Sequence, residues 1–193
     1  MLVIGNGESR LGIDINTRTC TKVGCNAIYR DFFVDHLVCV DRRMVQESIN
    51  AGYNTNTKIY TRKDWLNQFA KEKNLYVVPD LPYRGNLRQD DPFHWGSGPY
   101  ALLIAANNSL GNVEILGFDL HSKTDTVNNV YKSTNNYSTH DKRAVDPRYW
   151  IHQCAMIFKC FPDTSFKLYV DQEWNMPDLW KNSNVKVDLL DKF

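Results

Sequence analysis

The chain predicts an α/β fold: a Rossmann-like, doubly wound, mostly parallel sheet with helices on both faces and a lid loop at its carboxyl edge. Three observations carry this expectation. Strand-length apolar runs recur along the 193 residues, and several are continuous, as in parallel strands covered on both faces. Helix-like stretches separate the later runs, the alternation of a doubly wound sheet. The first run ends in Gly5-Asn6-Gly7, the kind of turn that brings backbone N–H groups to a nucleotide at a strand's carboxyl end. The length fits one domain over residues 1–193, with 120–146 as a lid-like loop.

Strands are expected at 2–5, 22–26, 36–40, 58–61, 75–79, 113–118, 165–170 and 185–190, each an apolar run of strand length. Gly24-Cys25-Asn26 and Leu116-Gly117-Phe118-Asp119 close two of them as Gly5-Asn6-Gly7 closes the first. A helix is expected from Arg42 to Ala51, closed by Gly52. Another is expected from Arg62 to Lys73, with Trp65, Leu66, Phe69 and Ala70 on one face. Ser97 to Asn108 has Pro99 in its first turn and Gly111 beyond its end, and Ser97 suits its N-cap. Pro147 to Phe161 makes the fourth helix.

Two long connections remain. Residues 80–96 are too proline-rich for a helix. Residues 120–146 are polar and leave the carboxyl edge of a strand, where ligands bind and lids are often built. A surface insertion is the alternative reading of this loop. Formal net charge is +1, so no charge field favours nucleic acid or an anionic membrane. No apolar stretch approaches the length of a membrane span, which predicts a cytoplasmic protein. The five cysteines are odd in number and irregularly spaced, which points to reduced structural thiols and away from zinc.

Several residues can carry chemistry. Asn6 and Asn26, at strand ends, can each offer an amide donor and acceptor to a base or ribose, or can simply close turns in the left-handed conformation. The start of the Ser97 helix can hold a phosphate without lysine. Asp41 can accept from ribose hydroxyls or pair with Arg42 or Arg43, and those arginines can reach phosphate. Tyr131, Tyr137 and His140 lie in the polar loop, with His121 at its entry. Histidine, with an ordinary pKa near about 6.5, is the natural base for a hydroxyl nucleophile, and His140 stands between that loop and the next helix. His36 and His152 read as structural. Trp174 to Trp180 is either an interface between copies or a segment packed back on the sheet.

Four blocks, in order, resemble the CMP-sialic-acid-dependent bacterial sialyltransferases of glycosyltransferase family 42. They are Val3-Ile4-Gly5-Asn6-Gly7-Glu8-Ser9, Cys25-Asn26-Ala27-Ile28-Tyr29, Gly96-Ser97-Gly98-Pro99-Tyr100-Ala101 continuing to Gly117-Phe118-Asp119, and Tyr137-Ser138-Thr139-His140 followed by Lys167-Leu168-Tyr169. The resemblance implies a sugar transferred from a nucleotide-sugar donor, CMP-linked, to an acceptor hydroxyl, with no cofactor or metal required. It implies His140 as general base and Tyr131 or Tyr137 as support for the departing phosphate. Nucleotide contacts are implied for Gly5, Asn6, Gly7, Ser9, Asn26, Asp41, Ser97, Gly98, Gly117, Asp119 and His121. The chain departs from the family at Glu8, Asp41 and His121, where the family has proline, asparagine and tyrosine. Two other functions stay open: a nucleotide-binding module without catalysis, and magnesium-dependent pyrophosphate transfer through Asp41 and Asp119, as in pterin diphosphokinase-like proteins.

Overall fold

The computed structural model describes residues 1–122 and 124–193. Eight strands form one sheet: β1 (Leu2–Ile4), β2 (Lys22–Cys25), β3 (His36–Val38), β4 (Lys58–Thr61), β5 (Leu75–Val77), β6 (Asn112–Leu116), β7 (Ser165–Val170) and β8 (Val185–Leu189). The order is β5-β4-β3-β2-β1-β6-β7-β8, with every pairing parallel. Each expected strand is present, most of them shortened where glycine, asparagine or proline turns the chain away from its ladder. The continuous apolar runs have the anticipated cause. Leu2 and Ile4 enter one core with Leu37, Ile59 and Met44, while Val3 between them enters the other with Val23, Ile115 and Leu168.

Among the described residues four α-helices cover the sheet: α1 (Arg42–Asn50), α2 (Lys63–Gln68), α3 (Ser97–Asn108) and α4 (Arg148–Cys160). Asp41 caps α1, its side chain accepting from the Arg43 N–H at 2.9 Å. The second helix is shorter than its expected span to Lys73. Phe69 leaves the helical conformation and sinks into the core, 9% exposed, so α2 stops at Gln68. Every residue of α3 from Tyr100 to Ala106 is buried, as befits a helix apolar on all sides. This helix carries the chain from the β5 edge back across the sheet to β6, on the far side of β1. The strand order therefore reverses between β1 and β6, and their carboxyl ends open a crevice.

The long segments pack firmly. Trp180 is fully buried and its Nε1 donates to Ile151 O at 2.8 Å, so the segment ending there packs back onto α4. Within 80–96, the Asp90 carboxylate accepts from the Tyr83 hydroxyl, His152 Nε2 and the Leu87 N–H at 2.9, 2.7 and 2.9 Å. Burial raises the Asp90 carboxyl, but these donors outweigh it and hold the group below its ordinary range. His152 is thus structural, as expected.

Where β1 and β6 end, two glycine turns interlock. Gly5 N donates to Leu116 O at 2.8 Å and Gly7 N to Gly117 O at 2.9 Å. A Cβ on Gly5 would lie 2.3 Å from Gly117 O, and Gly117 itself sits at φ +71°. Gly52 has the same φ of +71° with open space around it. Gly5→Ala is therefore expected to cost about 3 kcal/mol or more, whereas Gly52→Ala pays only the left-handed penalty of about 1–2 kcal/mol. Urea denaturation of the two variants checks this, and equal losses would contradict the interlock.

Candidate functional site

A cleft of about 420 Å³ opens at this switch point, a volume suited to a small-molecule ligand. Its floor is the turn after β1 (Gly5, Asn6, Gly7), the turn after β2 (Cys25, Asn26), the turn after β6 (Gly117, Phe118, Asp119) and the start of α3. Asp41 borders it from the α1 side, and the 120–146 loop forms the outer wall through Leu120, His121, Asn128, Asn129 and Tyr137. The glycine-bearing bends and this loop are thus gathered on one rim.

Asn6 is 8% exposed, and its Nδ2 donates to Cys25 O at 3.2 Å and to the Tyr137 hydroxyl at 3.4 Å. Its Oδ1 is buried without a hydrogen-bond partner among the described residues. Such an acceptor costs roughly 1–3 kcal/mol until a donor meets it. Asn26 stands at φ +52°, so the turn-closing reading holds for it. Its Oδ1 accepts from Ser97 Oγ at 2.8 Å, and Ser97 Oγ in turn accepts from the Val40 N–H at 3.1 Å. This corrects the expectation that Ser97 is the N-cap. Gly96 occupies that position, because the serine hydroxyl is drawn to two neighbouring strand ends instead of its own helix. Pro99 has no N–H and Gly96 N donates to Gln153 Oε1, so the backbone donors that the start of α3 can bring to the cleft are those of Ser97 and Gly98.

The Asp119 carboxylate accepts from Ser9 N at 2.9 Å and from Ser9 Oγ, fixing the chain after Gly7. A Cβ on Gly7 would lie 2.4 Å from that carboxylate, so a side chain there would push Asp119 off its bonds to Ser9. Ser9 itself faces a neighbouring cavity and not the cleft. Arg42 bonds Gln68 and Arg43 stays with Asp41, and neither lines the cleft. No lysine or arginine lines it among the described residues. Cys25 lies in the floor as a neutral thiol, pushed up to about 12 by burial. All five cysteines are unpaired. Among the described residues no group of three His, Cys, Asp or Glu is placed to hold a metal.

The loop residues divide. Tyr137 lines the cleft, its hydroxyl accepting from Ala27 N at 3.3 Å, and burial raises it far above the ordinary phenol value. Tyr131 does not line the cleft. It is 5% exposed, accepts from Arg10 Nη2 at 2.8 Å and donates to Asp31 Oδ2 at 2.6 Å. His140 also stands outside the cleft lining, exposed on the loop with Nδ1 3.2 Å from Ser133 Oγ. His121 is the imidazole that lines the cleft.

Two residues that the sequence did not single out hold this wall. Arg10, 4% exposed, donates Nε to Gly5 O at 3.0 Å while its other nitrogen reaches Tyr131 and Asp31. Glu47 on α1 accepts from Tyr29, Arg30 and Asn136, and Arg30 also donates to Thr134 Oγ1 and Asn135 O at 2.7 and 2.9 Å. Burial raises the Glu47 carboxyl, but those donors prevail and lower it.

No family model, curated protein or solved structure matches the chain. No helix among the described residues is long and apolar enough to cross a membrane.

Tyr131→Phe leaves Arg10 and Asp31 short of a buried partner and is expected to cost about 1–3 kcal/mol. Amide exchange in 124–146 should rise with it, and unchanged protection would remove Tyr131 as the anchor. Glu47 has a folded-state pKa below its unfolded value, so its stabilisation is complete above the ordinary carboxylate value. It is lost as pH falls through the lowered folded value. Glu47→Gln should flatten the acid limb of stability below about pH 4.3, measured by chemical denaturation across pH.

Proposed function

We propose that this protein transfers a sugar from a nucleotide-sugar donor, CMP-linked, to an acceptor hydroxyl, with the nucleotide seated in the switch-point cleft. The observation that carries the nucleotide part is Asn6: a buried amide at the reversal of strand order, with Oδ1 lacking a donor. On this reading a base amino group or a ribose hydroxyl supplies that donor by displacing the atoms that now cover the oxygen. Position supports the same reading, because ligands of open α/β sheets sit outside the carboxyl ends at this reversal.

Charge argues for the kind of donor. The cleft has Asp41 and Asp119 but no lysine or arginine among its described residues, so phosphate depends on backbone N–H groups at the start of α3. One phosphodiester suits that provision better than a diphosphate, which brings a second charge to be neutralised. The sugar, sialic acid, comes from the sequence resemblance alone. Asn26 contributes Nδ2, and Tyr137 holds Asn6 in place as a neutral hydroxyl.

A second reading, nucleotide binding without transfer, is favoured by the removal of Tyr131 and His140 from the cleft wall. Thermal shift with CMP, a CMP-sugar, UDP-sugars and GDP-sugars, followed by product analysis, separates the readings. The expected result is stabilisation by the cytidine monophosphates, with released CMP and glycosylated acceptor. Asn6→Ala should weaken CMP binding about tenfold, equivalent to roughly 1.4 kcal/mol. Stabilisation by no nucleotide would overturn both readings. Tight binding with the donor intact after long incubation would leave only the second.

A further inference from the structure

We propose that a second cavity, of about 290 Å³ and abutting the cleft, is the acceptor subsite, and that His121 takes the proton from the acceptor hydroxyl. This rests on the nucleotide-sugar reading above. The two cavities share Asp119, His121 and Asn128 in their linings, so one wall separates them. A group passed from a donor in the larger cavity to an acceptor in the smaller crosses that wall. His121 is the histidine that lines both, and it is exposed to whatever enters either.

The backbone is built to put it there. Leu120 stands at φ +67°, a conformation that bulky side chains rarely take and that tends to persist where a site requires it. The turn it makes follows directly on Asp119, whose carboxylate is fixed by Ser9 and whose carbonyl accepts from Trp174 Nε1 at 3.0 Å. Asn128 then secures the next residue: its Nδ2 donates to His121 O at 2.7 Å and its Oδ1 accepts from Glu8 N at 2.7 Å. The imidazole is thus carried on backbone held from both sides, whereas His140 bonds to the exposed Ser133.

The smaller cavity also states what it accepts. Its far wall is Asp171, Glu173 and Trp174, with the Trp174 ring braced against Trp180 at 6.0 Å between centroids. Carboxylates accept hydrogen bonds from hydroxyls and repel anions, and an indole offers the flat apolar surface on which a sugar ring rests. The lining thus favours a sugar or similar polyol that carries no negative charge. In the reaction the acceptor oxygen bonds to the anomeric carbon as the bond from that carbon to the phosphate oxygen breaks. The electron pair leaves with the nucleoside monophosphate, and the hydroxyl proton passes to the His121 imidazole and on to solvent.

The test uses the whole chain with CMP-sialic acid as donor, and lactose and methyl glycosides against a glucuronide as acceptors. First, CMP binding is measured in wild type, His121→Gln and Trp174→Phe. Trp174→Phe is expected to match wild type, the His121→Gln value sets the donor concentration that saturates that variant, and wild type that binds no CMP sinks the nucleotide reading itself. Glycoside binding to CMP-saturated protein is then followed by ligand-observed NMR. Neutral glycosides should bind, the glucuronide should bind at least tenfold more weakly, and Trp174→Phe or Trp174→Ala should raise acceptor KM about tenfold with little change in kcat. His121→Gln should lower kcat by about 100-fold or more while acceptor KM holds. With CMP bound, failure of every neutral glycoside to bind overturns the acceptor subsite. Transfer that survives His121→Gln and disappears in His140→Ala overturns the assignment of the base.

Discussion

The approach of two backbones, Gly5 against Gly117, is the constraint from which the rest of the molecule follows. Parallel strands β1 and β6 are neighbours only because α3 returns the chain across the whole sheet. Their carboxyl ends must then turn apart within a residue or two of each other, and a Cβ at either position meets the other's carbonyl at 2.3 or 3.0 Å. Glycine resolves the clash and leaves the N–H of Gly7 to bond across to Gly117 O. The crevice outside this junction exists because the chain cannot fill it. What lines it is whatever the departing turns carry: Asn6 on one side, Asp119 and His121 on the other.

The same junction explains where the charged residues went. Arg10 lies beneath the Gly5 carbonyl, buried, and its guanidinium is satisfied by Gly5, Tyr131 and Asp31 together. A buried guanidinium is stable only when each part is paired, so Tyr131 is bound to the floor of the protein and is withdrawn from chemistry. Arg30 and Glu47 repeat the arrangement farther along the loop. Ionic groups outside the cleft thus pin the long loop beside it. The cleft itself is left without cations among its described residues.

The strands were legible because each one contributes to two cores and so reads as an unbroken apolar run, Leu2-Val3-Ile4 being the clearest. The gathering of Gly5, Asn6, Asn26, Asp41, Gly98 and Asp119 on one rim was legible too, since parallel strands end at the same edge. Side-chain partners separated by great lengths of chain were not. Arg10 meets Tyr131 across 121 residues and Glu47 meets Asn136 across 89, and no local pattern records either pairing. Ser97 has the chemistry of a cap, yet Asn26 and Val40 compete for its hydroxyl and prevail. Among the histidines, nearness to a helix start favoured His140, although a loop of that length fixes little about where its far end lies. The histidine that does line the cleft, His121, stands two residues past a strand-end turn whose position the sheet dictates.

A cleft of this composition has a consequence for how any phosphate is recognised. With no lysine or arginine among the described lining, attraction comes from the start of α3, where backbone N–H groups are fixed by packing and do not collapse around the anion. A helix terminus supplies only about half a unit of positive charge, and Asp41 and Asp119 stand against it. On the proposed nucleotide reading, binding through phosphate would be weak and specificity would reside in the nucleoside, where the unpartnered Asn6 acceptor penalises a ligand that brings no donor. On the same reading, a nucleoside monophosphate product would carry a second negative charge in a site with no lysine or arginine among its described lining, which favours its release after transfer but gives no help to the bond cleavage that forms it. Under that proposal recognition would rest on the base and ribose, and release on the phosphate.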